Sequence, residues 1–182
     1  MRRLFLLALA FSLALPILLS ARTVASEDFD GFLTQNLWVA KNKGYTTYFS
    51  AIDFEVIPAG SKVSISKVSK KGFVLKNAGE KIKFEYIARH FDMDIDEFLD
   101  RLVADKNPAG KWAGFSSLEK AAIKEGRIQV GMSKAAVLVS AGYPVGKFSD
   151  ATANHWTYQR NRFVPINVLF VNGKVSQVGN EK

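Results

Sequence analysis

Residues 62–86 read KVSISKVSKKGFVLKNAGEKIKFEY, and this stretch decides the fold class. Val63 and Ile65 alternate with Lys62, Ser64 and Ser66, and Ile82, Phe84 and Tyr86 alternate with Lys81, Lys83 and Glu85. A period of two marks strands with one buried and one wet face. Lys70-Lys71-Gly72 and Asn77-Ala78-Gly79 supply turn chemistry between the strands. Upstream, Ile52, Phe54 and Val56 alternate with Asp53 and Glu55, and Pro58-Ala59-Gly60 ends that run. Short strands joined by tight turns predict a small antiparallel barrel or a strongly curved sheet.

Downstream, Asp94 and Glu97 are spaced as a capping box with Asp in place of Ser. Ile95, Phe98, Leu99, Leu102 and Val103 then form one apolar face, which predicts a helix covering the open side of the sheet. Asn107-Pro108-Ala109-Gly110 ends it. Ser116 and Glu119 form a second capping box, and Gly126 stops that helix. Ser133 caps a third helix over Lys134 to Ala141, with Val137, Leu138 and Ala141 inward, Gly142 as its C-terminal residue and Pro144 barring continuation. Trp156 and Tyr158, Phe163 to Val171, and Lys174 to Val178 follow as strands, the last two joined by Asn172-Gly173 as a type I′ hairpin.

The fold class expected is therefore α+β: a small antiparallel β-barrel-like N-terminal domain closed by a helix, then a helix-helix-three-strand C-terminal domain. The expected boundaries are a signal peptide at 1–25, a β-rich domain at 26–107, a linker at 108–115 and the second domain at 116–182.

Composition narrows the classes. The chain has 182 residues, 48% of them apolar and 12% aromatic, which argues for packed cores over disorder. With no cysteine, a disulfide scaffold, a thiolate zinc site and a cysteine nucleophile are excluded. Arg2 and Arg3 precede an apolar run from Leu4 to Leu19, and Pro16 and Thr23-Val24-Ala25 lead to a cleavage site after Ala25, or after Ser26. This is the pattern of an export signal, and the run is short of the roughly 20 residues of a spanning helix. The expected location is periplasmic or secreted, with no transmembrane segment after cleavage. Loss of Arg2, Arg3 and Arg22 takes the net charge from +8 to +5. Residues 26–110 carry −1 and residues 111–182 carry +6, which points the second half toward anionic partners.

The run Ile128-Gln129-Val130-Gly131-Met132-Ser133-Lys134, with Val137, Gly142-Tyr143-Pro144, Trp156-Thr157-Tyr158 and Val168 to Val175, resembles the SmpA/OmlA family, the small BamE component of the outer-membrane β-barrel assembly machine. The likeness covers about residues 116–178. It implies the αα-βββ layout and a part in outer-membrane assembly. Family members are typically lipoproteins, whereas this chain has no cysteine to lipidate and carries an additional N-terminal domain. The first module, through Pro58-Ala59-Gly60-Ser61-Lys62-Val63, loosely resembles bacterial SH3-type domains, which bind peptidoglycan or peptides.

Site chemistry is sparse. His90 and His155 are the only histidines, and no nucleophile elbow or HExxH pattern occurs, so no catalytic residue is assigned and the chain is read as a non-enzyme. Asp92, Asp94 and Asp96 begin like a calcium loop, but Glu97 sits where glycine is needed, and no metal or cofactor is expected. Gly131-Met132-Ser133 opens a helix where an anion could sit, though one glycine makes no phosphate loop. Lys62, Lys67, Lys70, Lys71, Lys76, Lys81 and Lys83 read as the wet face of strands, with the acidic helix as compensation. Tyr143, Trp156, Tyr158, Arg160 and Arg162 are the expected binding residues, because Trp, Tyr and Arg dominate interfaces. For Trp156 and Tyr158, core packing against the helix at Lys134 to Ala141 is the favoured reading over exposure, which leaves Arg160 and Arg162 as the better surface candidates. The expected partner is an envelope protein or an anionic envelope surface, not nucleic acid. A secreted enzyme inhibitor acting through Phe148 to Asn154, or a peptidoglycan-binding module, is the alternative.

Overall fold

The computed structural model describes residues 28–179 except 42, 48–53, 147–151 and 162. The leader therefore lies outside the described residues, as do Arg162, most of the loop from Phe148 to Asn154, and the start of the strand expected at Ile52. The first group of strands is β1 Phe29–Leu33, β2 Leu37–Ala40, β3 Lys43–Tyr45, β4 Glu55–Ile57, β5 Lys62–Ser69, β6 Gly72–Asn77, β7 Glu80–Glu85 and β8 Val103–Ala104. The helix α1 Ile95–Leu102 lies between β7 and β8. Then come α2 Ser117–Lys124, α3 Lys134–Ala141, β9 His155–Asn161, β10 Val164–Val171 and β11 Lys174–Gly179.

The strands form two sheets, ordered β4-β2-β3-β7-β6-β5-β1-β8 and β11-β10-β9. Strand makes up 42% of the described residues and helix 23%. This corrects the expected fold class. The first sheet is not a small antiparallel barrel: it is a large curled sheet of eight strands, and β3 runs parallel to β7, with Lys43 opposite Lys83 and Tyr45 opposite Glu85. Alternation reveals that a segment is a strand, but it carries no information on the direction of its neighbour.

The expected helix-helix-three-strand domain is overturned too, because that stretch does not close on itself in a protein dominated by sheet. The reason lies in β2 and β4. Leu37, Val39 and Ile57 enter a first core, with Leu33, Ile65, Leu75 and Phe84 of the large sheet. Trp38, between Leu37 and Val39, faces the other way into a second core, formed by α2, α3 and the inner face of β9–β11. Val56 follows it there. One end of the large sheet is thus a wall shared by both cores. The exchange is mutual, since Val145 and Tyr143, just beyond α3, pack into the first core.

Local chemistry sets the helix ends. Asp94 accepts a hydrogen bond from the Glu97 backbone N–H, and α1 lays Phe98, Leu99 and Leu102 into the first core. Each such fully buried side chain contributes roughly 2 kcal/mol of apolar burial. The α2 capping box is complete: the Ser116 hydroxyl accepts from Glu119 N–H, and the Glu119 carboxylate accepts from Ser116 N–H. Ser133 caps α3 by accepting from Ala136 N–H. Asn172 and Gly173 have φ of +50° and +73°, as a type I′ turn between β10 and β11 demands.

Gly142 ends α3 with φ +78° and ψ −164°, a conformation that glycine alone takes readily. A Cβ there would lie 2.3 Å from Nε2 of buried Gln35. Gly142→Ala is expected to lower stability by about 2 kcal/mol, through backbone strain and overpacking together. Urea unfolding of the two proteins measures it; an unchanged midpoint would contradict this account of the joint between the cores.

Candidate binding surfaces

Of the residues named as binding candidates, Trp156 and Tyr158 are buried and Tyr143 is half-buried. Trp156 is 0% exposed and Tyr158 1% exposed. The Trp156 ring meets Phe170 edge-on at 4.6 Å, and the Tyr158 hydroxyl donates to the Gly142 carbonyl at 3.0 Å. Burial raises the Tyr158 pKa well above its ordinary value, so the hydroxyl remains a donor. Tyr143 is half-buried against the first core, with the Arg101 guanidinium 5.0 Å from its ring centre. Trp156 and Tyr158 thus lie in the core, the position favoured for them over a partner contact. They point inward because β9 alternates, and their face is the one that meets α2 and α3. Arg160 is exposed on β9.

The opposite face of the three-stranded sheet is the wet one. His155, Thr157 and Asn167 lie on it, with Asn167 Oδ1 3.0 Å from both the His155 Nε2 and the Thr157 hydroxyl. Leu169 and Val171 are two residues apart on β10 and share this face, 37% and 59% exposed. Phe163, at the β9–β10 turn, is 74% exposed. The sheet thus presents apolar side chains beside a fixed polar cluster, on a backbone held rigid by pairing on both sides of β10.

A second surface lies on the large sheet. Parallel pairing of β3 with β7 sets Lys43 beside Lys83, and the β5–β6 turn brings Lys70 and Lys71 to the same place, where Tyr86 N–H donates to the Lys71 carbonyl. A 3-10 turn at Ala88–His90 adds Arg89. Together they line a cleft of about 600 Å³. Among the described residues Glu85 is the one carboxylate lining it, and it lies 3.4 Å from Lys43. The Lys43 pKa is raised, first by Tyr45 and then by Glu85. Tyr86 belongs to the floor, but its hydroxyl turns inward to the Met93 carbonyl. Burial, and then Asp94 and Glu97, push that hydroxyl up to about 12. Behind Arg89, His90 is pulled below its ordinary pKa, first by burial and then by the Arg89 charge.

Sequence reading saw Lys70, Lys71 and Lys83 as separate solvated side chains. It did not single out Lys43 or Arg89, because only the parallel pairing and the 3-10 turn bring them in. The carboxylates of α1 do not line the cleft, so the compensation expected from that helix is not found there. The anion considered at Gly131-Met132-Ser133 is supplied from within: Glu119 Oε1 accepts from Ser133 N–H at 2.8 Å, and Met132 is fully buried. Among the described residues no group of three or more acidic or histidine side chains could hold a metal ion. Among them, too, no helix is long and apolar enough to cross a membrane.

Comparison with family models, with curated proteins and with solved structures finds no match.

Proposed function

We propose that this chain is an exported, non-enzymatic binding protein of the bacterial cell envelope, an accessory factor in outer-membrane protein assembly or envelope integrity. The reading draws on the export-like leader and on the likeness to the SmpA/OmlA family. The observation that carries it is the open face of the three-stranded sheet, where Leu169 and Val171 stand exposed beside the His155–Asn167–Thr157 cluster. One face of the sheet anchors it in the second core, so the other meets a partner without rearrangement. Apolar side chains rimmed by polar groups on a rigid backbone are the usual make-up of a protein contact.

A photocrosslinking residue at Val171, in intact cells, is expected to capture a defined envelope protein that one at Lys81 does not. Leu169→Asp with Val171→Asp is expected to lower that capture at least tenfold while leaving the thermal midpoint within a few degrees, since both side chains are exposed. Equal capture from both positions would remove the proposal.

A further inference from the structure

We infer that the cleft between β3, the β5–β6 turn and the 3-10 turn after β7 is a binding site for a ligand carrying closely spaced phosphate groups. The inference stands apart from the protein-contact face above and does not depend on it.

The first argument is charge. Lys43, Lys70, Lys71, Lys83 and Arg89 line one concavity with Glu85 as their single carboxylate among the described residues, and Glu85 is engaged by Lys43. Lysines are ordinarily dispersed or interleaved with acids, because like charges repel across a short gap. Here Lys43 and Lys83 are direct neighbours in a β-ladder, an arrangement that costs stability. A polyanion seated there removes the repulsion that the fold maintains.

Donor type points the same way as charge. Among the described residues the side-chain donors offered by the lining are ammonium and guanidinium, since the Tyr86 hydroxyl is committed to Met93 in the interior. A neutral glycan needs directional hydroxyl and amide partners and an open ring to stack on. Tyr86 is 4% exposed and gives no such ring. For the same reason the cleft offers no stacking platform for bases. A single carboxylate would leave most of the cations unbalanced. Phosphate carries more charge per group and matches the fork of Arg89, and the volume of about 600 Å³ admits two or three such groups.

The shared chemistry is clustered phosphate, and its source is either a lipid headgroup or a soluble phosphate chain. Calorimetry of the purified chain at low salt, with tripolyphosphate and with tricarballylate as a tricarboxylate control, tests the chemistry. Tripolyphosphate is expected to bind at least tenfold more tightly than tricarballylate, with affinity falling as salt is raised. Lys70→Glu with Lys71→Glu, and separately Lys83→Gln, are expected to weaken it tenfold or more. These side chains are exposed, so circular dichroism should show unchanged folding. Cosedimentation with phosphatidylglycerol-containing vesicles, against phosphatidylcholine alone, identifies the source. Vesicle binding that tripolyphosphate competes away supports a headgroup, and tripolyphosphate binding without vesicle binding supports a soluble ligand. Tripolyphosphate binding no tighter than tricarballylate, or undiminished in both variants, overturns the inference while leaving crosslinking at Val171 as a separate result.

Discussion

Glu119→Ala should lower the stability of the protein by about 3–5 kcal/mol, a large part of what a domain of this size has. Glu119 is 3% exposed, and its carboxylate is the meeting point of three elements. One oxygen accepts from Ser116 N–H at 2.8 Å and from the Ser116 hydroxyl at 3.0 Å, which caps α2. The other accepts from Ser133 N–H at 2.8 Å, at the start of α3, and lies 3.4 Å from the Lys174 ammonium, at the start of β11. Alanine leaves the Ser116 and Ser133 backbone N–H groups, at the starts of both helices, without this acceptor, while the two serine hydroxyls keep their own capping bonds. Glutamine is less damaging but not neutral, because its amide N–H₂ must face one of two backbone donors.

The same carboxylate makes stability depend on acid. Burial acts to raise its pKa, but the hydrogen bonds from Ser116 and Ser133 outweigh it and hold the pKa at about 2, below the ordinary 4.5. The folded protein thus binds this proton less readily than the unfolded chain does. The contribution is fully present above pH 4.5 and is lost as pH falls toward 2; it amounts to about 3 kcal/mol. Urea unfolding at pH 7 and pH 3 should show the difference between the parent and Glu119→Ala shrinking with acidification. A difference that stays constant would contradict this role.

Asn36→Leu should cost about 3–5 kcal/mol, although leucine is close in size and the site is 2% exposed. The Asn36 amide donates to the Ile123 carbonyl at 2.8 Å and to the Ser140 carbonyl at 3.2 Å, and its oxygen accepts from Ala59 N–H at 2.8 Å. One side chain thus joins the β4–β5 turn, the end of α2 and the end of α3. Leucine would remove the side-chain partner of two carbonyls and one N–H, of which the Ser140 carbonyl is buried and the other two groups are partly buried. Asn36→Asp separates the roles. It keeps the acceptor for Ala59 but points a carboxylate at two carbonyls, so it should be at least as destabilising at pH 7. Its deficit should narrow in acid, where a protonated carboxyl can donate to one of them. Chemical unfolding across pH reads this, and a deficit that widens in acid would refute the assignment.

Residues with local partners were legible in the sequence. Asp94, Ser116 and Ser133 cap the helices that their spacing announced, and Asn172-Gly173 turns the hairpin. The strands of 62–86 alternate because one face is wet. In β2, by contrast, Leu37, Trp38 and Val39 are all buried, since a core lies on each side, and the alternation that marks a half-exposed strand vanishes. The three-strand stretch was read as a unit because its own inward residues fill most of a core. The large ring of Trp38, brought from far earlier in the chain, was not visible. The lysines of the cleft are visible in the sequence as single residues, but their convergence depends on a parallel pairing that no turn encodes.

The position of β1 has a kinetic consequence. It lies between β5 and β8, with Gly31 opposite Val63 on one side and Leu33 opposite Val103 on the other. A strand made near the start of the chain thus waits, with both edges bare, for two later segments. Closing such distant loops makes folding slow and favours wrong pairing in the interval. A chain emerging N-terminus first through a membrane pore would hold one edge of β1 bare until residue 104 and Trp38 unsheltered until its last third has arrived, and in that interval a chaperone has something to hold.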